Sequence, residues 1–151
     1  MPAETSESPI YPGENANPRE ILNLAEAYYL AAISLCEMPP KHARLSQAPA
    51  RLCSIHAIEL YLNAFLRFQG VSPGEIRGRL HDLKEPDFAA TLGLRKRTAA
   101  HLLTITDKRE YLISRYAPEM TGHHSELSRL IATLKEVHKK TTKYIQLKID
   151  V

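Results

Sequence analysis

The chain has 151 residues and a formal net charge of +3, with 44% hydrophobic and 25% charged residues. This length suits one domain with a sizeable core, and the composition is typical of a globular protein. No uncharged apolar run of about 18 residues occurs, so the sequence predicts no transmembrane helix. The acidic, Pro-rich N-terminus lacks the basic start and apolar middle of a signal peptide, and we therefore expect a cytoplasmic protein.

The charge is unevenly distributed along the chain. Residues 1–37 hold six Glu and one Arg, a balance of −5, so the remainder carries +8 to reach the total of +3. One basic cluster is Arg95, Lys96 and Arg97, and most of the other basic residues lie further along the chain. Such residues form either solvated helix faces or a surface for nucleic acid or another polyanion.

The cysteines and histidines do not indicate a metal site or a cofactor. Cys36 and Cys53 lie inside apolar helical patterns, which favours reduced residues in the core. No Cys-x-x-Cys pair or zinc-type Cys/His spacing occurs. No phosphate-binding glycine loop or common hydrolase motif is present either.

Proline placement predicts where helices can lie. None of the ten Pro falls in 50–72, 87–117 or 119–151, and Pro is excluded from helix interiors because it lacks the N–H and clashes with the preceding turn. We expect residues 1–17 to be disordered or loosely attached, and 18–147 to form a single helical domain. No strand-like alternation of useful length occurs.

The first two helices have clear boundary signals. Asn17 followed by Pro18 predicts an N-cap and first turn, and Pro39 must end that helix. A second helix is expected over 43–69, with Gly70 as its C-terminal stop, and Pro49 either kinks it or separates a short lead-in from the main helix. Apolar residues cover most of its circumference, which is typical of the central helix of a bundle. The positions expected to be nearly fully buried are Ile58, Leu62, Phe65 and Leu66.

One polar stripe interrupts this apolar helix. His56, Glu59, Asn63 and Arg67 fall within roughly 80° of each other on a helical wheel. The stripe is either a partly exposed strip with ordinary hydrogen bonds or the lining of a dimer cleft or ligand groove, since buried polar groups need partners.

The second half of the chain predicts further helices. A connection over 71–80 leads to His81-Asp82-Leu83, where Asp82 is expected to cap the next short segment. A helix is predicted over 98–116, ended by Pro118, and a last one begins near Thr121 or Ser125. The sequence therefore predicts an all-α helical bundle.

Three motifs resemble those of the HEPN superfamily of helical domains. They are Ala57-Ile58-Glu59-Leu60 with a helix-ending Gly70, then His81-Asp82-Leu83, and Arg115-Tyr116-Ala117-Pro118. The resemblance covers roughly residues 20–145 and implies an all-α, up-and-down bundle of four or five helices that usually forms a homodimer. Many HEPN proteins are RNases of toxin–antitoxin, phage-defence and stress systems. Others are non-catalytic binding or scaffold domains, often with a nucleotidyltransferase partner.

The resemblance also implies where catalytic residues would stand. The family's RNases use an Arg and a following His across a dimer cleft, without a metal, the His for proton transfer and the Arg for phosphate charge. Here the corresponding residues are Arg115 and His123, but seven residues intervene, one more than the family's signature allows, and Pro118 is among them. Two other pairs, Arg51–His56 and Arg95–His101, have suitable spacing at other places.

The sequence thus favours a non-catalytic HEPN-like interaction module or nucleotide- or RNA-binding module, without a cofactor. The candidate binding residues are His56, Glu59, Asn63, Arg67, Arg95, Lys96 and Arg97. One alternative is a metal-independent endoribonuclease, and another is a structural homodimer with no role in nucleic-acid binding. A homodimer is expected, with a nucleotidyltransferase or an antitoxin as a further partner. The apolar residues expected on the surface for dimerisation include Tyr28, Tyr29 and Tyr61.

Overall fold

The computed structural model describes residues 10–38, 47–123 and 125–149. Within these ranges the chain is helical and has no strand, which confirms the predicted all-α bundle. The helices are α1 (Pro18–Glu37), α2 (Ala48–Phe68), α3 (Pro73–Gly78), α4 (Pro86–Leu92), α5 (Lys96–Asp107), α6 (Glu110–Tyr116) and α7 (Leu127–Ile149). A short 3-10 helix, Pro118–His123, precedes α7. None of the helices in the described part of the chain is both long and apolar enough to cross a bilayer.

The long helices α1, α2, α5 and α7 alternate in direction along the chain. Helix α2 packs against α1, α6 and α7, while α5 packs against α7 and α6. Helix α1 runs antiparallel to α2, α2 runs parallel to α7, and α5 runs antiparallel to α7. The contacts that fix these directions are Glu26 with Tyr61, Tyr28 with His56, Arg51 with Ser125, Tyr61 with His138, His101 with Thr133, and the Arg95 N–H with Glu136.

Helix α2 supplies much of the core. Ile58, Leu62 and Phe65 are at most 1% exposed and Leu66 is 6% exposed, as predicted. Phe65 packs edge-to-face on Phe88 from α4, with ring centroids 5.2 Å apart. Core residues also come from α1, α5, α6 and α7, so α2 is enclosed on several sides.

The sequence signals at the helix ends act as expected. The Asn17 side chain accepts from the Glu20 N–H at 2.8 Å, and the Glu20 carboxylate accepts from the Asn17 N–H at 3.1 Å. This reciprocal capping box fixes the start of α1. Gly70 has φ +88° just after α2, a conformation that costs Gly little. Helix α2 begins at Ala48 after the N-cap residue Gln47, with Pro49 in its first turn, and residues 43–46 of the predicted helix lie outside the described ranges.

The predicted helix over 98–116 is wrong as a single element. Helix α5 ends at Asp107, Arg109 has φ +53°, and α6 begins at Glu110. The break turns Glu110 inward, where it is 1% exposed. Its carboxylate accepts from the Ser125 N–H at 2.6 Å and from the Ser125 hydroxyl at 2.9 Å. A continuous helix would not fix Glu110 in this position, and a buried carboxylate without partners is costly.

The prediction for Asp82 is also wrong. Glu85, not Asp82, stands at the N-cap of α4, and its side chain accepts from the Asp87 N–H at 3.3 Å. Asp82 accepts instead from the Lys84 N–H at 2.7 Å, which closes a local turn before that helix. The connection before His81 also contains a short helix, α3, whose N-cap is Ser72.

The buried network around Glu110 includes a histidine with a defined tautomer. The Ser125 hydroxyl has one proton, which it donates to Glu110, so His101 Nε2, 2.9 Å away, must carry the proton that it shares with Ser125. His101 Nδ1 then accepts from the Thr133 hydroxyl at 2.7 Å. Arg51 completes the network by donating to the Ser125 carbonyl at 2.6 Å. Four separate parts of the chain are joined here by polar bonds inside the protein.

We expect Phe65→Ala or Leu62→Ala to lower the free energy of unfolding by about 2–5 kcal/mol, because each leaves a cavity in addition to lost apolar burial. Leu103→Ala is the matched control, since Leu103 is 45% exposed on α5 and should change stability by less than about 0.5 kcal/mol. Urea denaturation measures all three. A change under about 1 kcal/mol at both core sites would contradict the central position of α2.

Stability should fall as the pH is lowered from about 7.5 to about 5.5. Burial lowers the pKa of His101 below its ordinary value of 6.5, so the unfolded chain takes up a proton that the folded protein resists. The same sign holds for His56 and His138, whose pKa values burial also lowers. Denaturation at several pH values measures the trend, and His101→Gln should show a smaller decrease. Stability that rises on acidification in this range would contradict the assignment.

Candidate functional site

All four residues of the polar stripe line one groove of about 750 Å³. They are His56, Glu59, Asn63 and Arg67, and each is partly buried on α2. The groove lies between α2, the first half of α1, the α3 region and residues 11–16. The structure thus places the stripe on a concave surface.

Glu59 pairs with His81, a residue that the sequence did not connect with the polar stripe. His81 Nδ1 lies 2.9 Å and 3.0 Å from the two carboxylate oxygens of Glu59. The His81 ring also packs on Tyr111 of α6, with centroids 4.4 Å apart. His81 therefore connects the groove wall to α6.

The turn that presents His81 is strained. Leu80 has φ +50° and His81 has φ +68°, so two successive non-glycine residues are left-handed. Each such residue costs about 1–2 kcal/mol relative to ordinary backbone. Arg79 stabilises the turn by donating to the Asp82 and Lys84 carbonyls at 3.1 and 3.0 Å. Strain of this kind often occurs at functional sites, and here it lies at the edge of the groove.

His56 occupies the end of the stripe towards α6. Its ring meets the Tyr28 ring edge-on, with centroids 4.5 Å apart. Burial lowers the pKa of His56, the Glu59 charge opposes that effect, and the neighbouring Arg115 and His81 add to it. His56 is therefore mainly neutral at pH 7, with one ring nitrogen able to accept a hydrogen bond.

Two arginines contribute cations to the groove. Arg67 donates to the Val71 carbonyl at 3.1 Å, and its buried Nε has no hydrogen-bond acceptor among the described residues. The Arg77 guanidinium lies 4.2 Å from the centre of the Tyr11 ring. Planar guanidinium groups can bind phosphate or carboxylate with two hydrogen bonds.

Part of the N-terminal segment forms one wall of the groove. Residues 11–14 make a turn in which the Glu14 N–H donates to the Tyr11 carbonyl at 3.0 Å. Tyr11 contacts Arg77, and the capping box at Asn17 fixes the point where the segment enters α1. Residues 1–9, which belong to the segment expected to be loosely attached, lie outside the described ranges.

The rest of the groove lining is largely apolar. Its apolar side chains include Ile21, Leu24, Leu60, Pro73, Ile76 and Leu80. Binding sites for small molecules combine such surfaces with a few convergent polar groups. The groove can therefore accept a ligand with a flat or apolar part and an anionic or hydrogen-bonding part.

The structure does not test the proposed catalytic pair. Arg115 is exposed at the end of α6, with its guanidinium 5.8 Å from the Tyr116 ring centre. His123 ends the 3-10 helix, and its side chain lies outside the described parts.

The two other Arg–His pairs are separated by the fold. Arg51 is buried and bonds to Ser125, and it does not line the groove where His56 lies. Arg95 is exposed before α5, while His101 is buried with both ring nitrogens bonded to hydroxyls. Neither pair can converge on one phosphate in this arrangement.

The candidate residues Arg95, Lys96 and Arg97 do not belong to the groove. All three are exposed around the start of α5 and face solvent. The Arg95 N–H donates to Glu136 of α7 at 2.8 Å, which places this cluster beside the last helix. The candidate binding residues thus divide into two separate surfaces.

The structure corrects part of the reasoning behind the expected homodimer. Tyr61 is fully buried, and its hydroxyl donates to Glu26 at 3.1 Å, so it cannot lie in an interface. Tyr28 and Tyr29 are partly buried, and the exposed large apolar side chains of α1 are Leu24 and Leu30. The homodimer stays a prediction.

Among the described residues, no group of three His, Cys, Asp or Glu side chains is placed to hold a metal ion. Comparison of the chain with protein-family models, curated proteins and solved structures finds no match.

Proposed function

We propose that the protein is a non-catalytic HEPN-like module that binds a nucleotide, or the end of an RNA chain, in the groove along α2. The observation that supports this most is the convergence of His56, Glu59, Asn63 and Arg67 on one groove whose other lining residues are largely apolar. The resemblance to HEPN domains suggests a bacterial stress or defence setting, with a nucleotidyltransferase or an antitoxin as partner.

The groove offers a suitable group for each part of a nucleotide. Arg67 and Arg77 supply guanidinium groups for phosphate. Asn63 and Glu59 can bond to the polar edge of a base, since an amide both donates and accepts while a carboxylate accepts. The apolar side chains beside them suit the faces of a base and ribose.

Calorimetric titration with adenine and guanine nucleotides should detect binding to the intact protein. Arg67→Ala should weaken that binding by about ten- to a hundredfold, since a hydrogen bond to a charged group contributes about 1.5–3 kcal/mol. Arg97→Ala is the control, because Arg97 is an exposed cation that does not line the groove. Equal affinities in wild type and Arg67→Ala, or no heat with any nucleotide, would contradict the proposal.

A metal-independent endoribonuclease is the second candidate, and one observation favours it. Arg115 lies close enough to His56 for its charge to lower the pKa of that ring. A neutral His beside an Arg is the chemistry that general base catalysis on RNA needs. Against it, His56 and Arg115 come from different helices, and Arg115 is exposed.

We expect mixed cellular RNA to stay intact when it is incubated with the purified protein and a metal chelator. The nuclease candidate predicts the opposite, with activity reduced about 100- to 10,000-fold by loss of the proton-transfer histidine. Gel analysis of wild type, Arg115→Ala, His123→Ala and His56→Ala decides between them. Chelator-resistant cleavage that disappears in any of these variants would show that the protein is an endoribonuclease and would contradict the non-catalytic proposal.

A further inference from the structure

The solvent-facing side of α7 is strongly basic. The helix carries six Lys or Arg and one Glu. Lys135, Lys139 and Lys143 are all exposed and follow one another at intervals of four residues. Residues at this spacing lie on one side of a helix, about 6 Å apart along its axis. The three lysines therefore form a continuous row of positive charge.

The one acidic residue of α7 does not neutralise this row. Glu136 accepts from Lys140 at 2.7 Å, from the Arg95 N–H at 2.8 Å and from the Thr98 hydroxyl at 2.5 Å. These bonds lower the pKa of Glu136 although burial opposes them. Its charge is used in fixing the start of α5 against α7.

That attachment extends the basic surface beyond α7. Lys140 also donates to the Gly93 carbonyl at 2.6 Å, so the loop before α5 is held on the last helix. The exposed cluster Arg95, Lys96 and Arg97 follows directly. Two basic segments that are distant in the sequence are thereby adjacent in the fold.

An aromatic pair borders the lysine row on its other side. The rings of Tyr29 and His138 are stacked, with centroids 3.8 Å apart and planes within 8°. His138 is held by Tyr61 and Glu26 at 2.7 and 3.1 Å from its Nδ1. Its side chain is 23% exposed and lines a depression of about 360 Å³. The other residues of that depression are Lys139, Thr142, Lys143, Gln146 and Leu147.

We propose that this surface, which we call the α7 basic face (Lys135, Lys139, Lys143, His138 and the Arg95–Arg97 cluster), binds single-stranded nucleic acid. The lysines contact phosphates, and the depression at His138 receives a base. A row of cations beside an aromatic ring is the combination that single-strand binding uses. The face shares no residue with the groove on α2, so the proposal holds whether or not the groove binds a nucleotide.

Charge complementarity and the aromatic ring together favour this partner. Phosphates of any nucleic acid would meet the lysines, but only an unpaired base can stack on a side chain. Anionic lipid headgroups would also contact the lysines, but they would not stack on the His138 ring as a base does. The proposal therefore predicts a preference for single strands over double strands and over anionic vesicles.

Fluorescence anisotropy with labelled oligouridine and oligothymidine measures the binding constant K at several salt concentrations and so tests whether the lysines contact phosphates. Lys139→Ala/Lys143→Ala should reduce the slope of log K against log salt by about 1.4, since each phosphate contact on a single strand contributes about 0.7. Lys108→Ala/Arg109→Ala is the matched control. These exposed cations lie after the C-terminal end of α5, about 18 Å along that helix from Arg95. The two oligonucleotides show whether RNA and DNA are distinguished.

A second set of variants tests the aromatic contact. His138→Ala should weaken binding by roughly five- to a hundredfold, because stacking of one base contributes about 1–3 kcal/mol. His138→Phe keeps a ring and should restore most of the affinity. Circular dichroism melts of each variant show whether it is folded.

Several outcomes would overturn the proposal. Equal salt slopes in the lysine variant and its control would show that Lys139 and Lys143 do not contact phosphates. Equal affinity for single and double strands would show that no base stacks on His138. Binding by His138→Phe that is as weak as binding by His138→Ala would show the same. Binding to anionic vesicles without binding to oligonucleotides would assign the face to a membrane instead.

The Arg67→Ala variant separates this proposal from the proposed function of the groove. Loss of nucleotide binding in Arg67→Ala, with oligonucleotide binding unchanged, shows that the groove and the α7 basic face act independently.

Discussion

The fold depends on the burial of α2 over nearly its whole circumference. A helix that is apolar on most sides must be covered on most sides, and the bundle provides this with α1, α6 and α7. Tyr61 shows the consequence for a residue with a polar end. Its ring is fully buried, and its hydroxyl must find a partner, which it does in Glu26 and His138. Coverage of α2 thereby also fixes α1 and α7 relative to each other.

The same constraint determines what can lie against the polar stripe of α2. The stripe from His56 to Arg67 is the part of α2 that cannot be covered by an apolar surface without leaving its polar groups unpaired. In the fold the stripe lines a groove between α2, the first half of α1 and the α3 region. Glu59 gains a partner in His81, and Arg67 bonds to the carbonyl that follows α2. The groove is thus the direct result of polar residues on an otherwise apolar central helix.

Local signals made part of this structure predictable from the sequence. The start of α1 at Asn17, the stop at Gly70 and the burial of Phe65 follow from capping chemistry, backbone freedom and helical periodicity. The stripe on α2 was predictable for the same reason. That it lines a groove was one of two alternatives, because periodicity does not show what covers a helix face.

The features that were not predicted depend on contacts between distant segments. The break at Arg109 places Glu110 against Ser125, and helix propensity carries no information on such a bond. The Glu59–His81 pair joins residues 22 apart in the chain and requires a left-handed turn. The left-handed residues, Leu80 and His81, are not glycines, so the sequence gives no signal for this turn. The aromatic pair beside the α7 lysines was missed because Tyr29 and His138 lie near opposite ends of the sequence.

Strain and pairing at His81 bear on how rigid the groove is before any ligand arrives. Two left-handed residues cost about 1–2 kcal/mol each, while a single side-chain hydrogen bond contributes about 1 kcal/mol. The Glu59–His81 contact alone therefore cannot hold the turn. The bonds of Arg79 to two carbonyls and to Glu85 supply further stabilisation, as does the packing of the His81 ring on Tyr111. Because several independent contacts fix His81, its ring and the Glu59 carboxylate are already in position in the free protein, and a ligand need not order them.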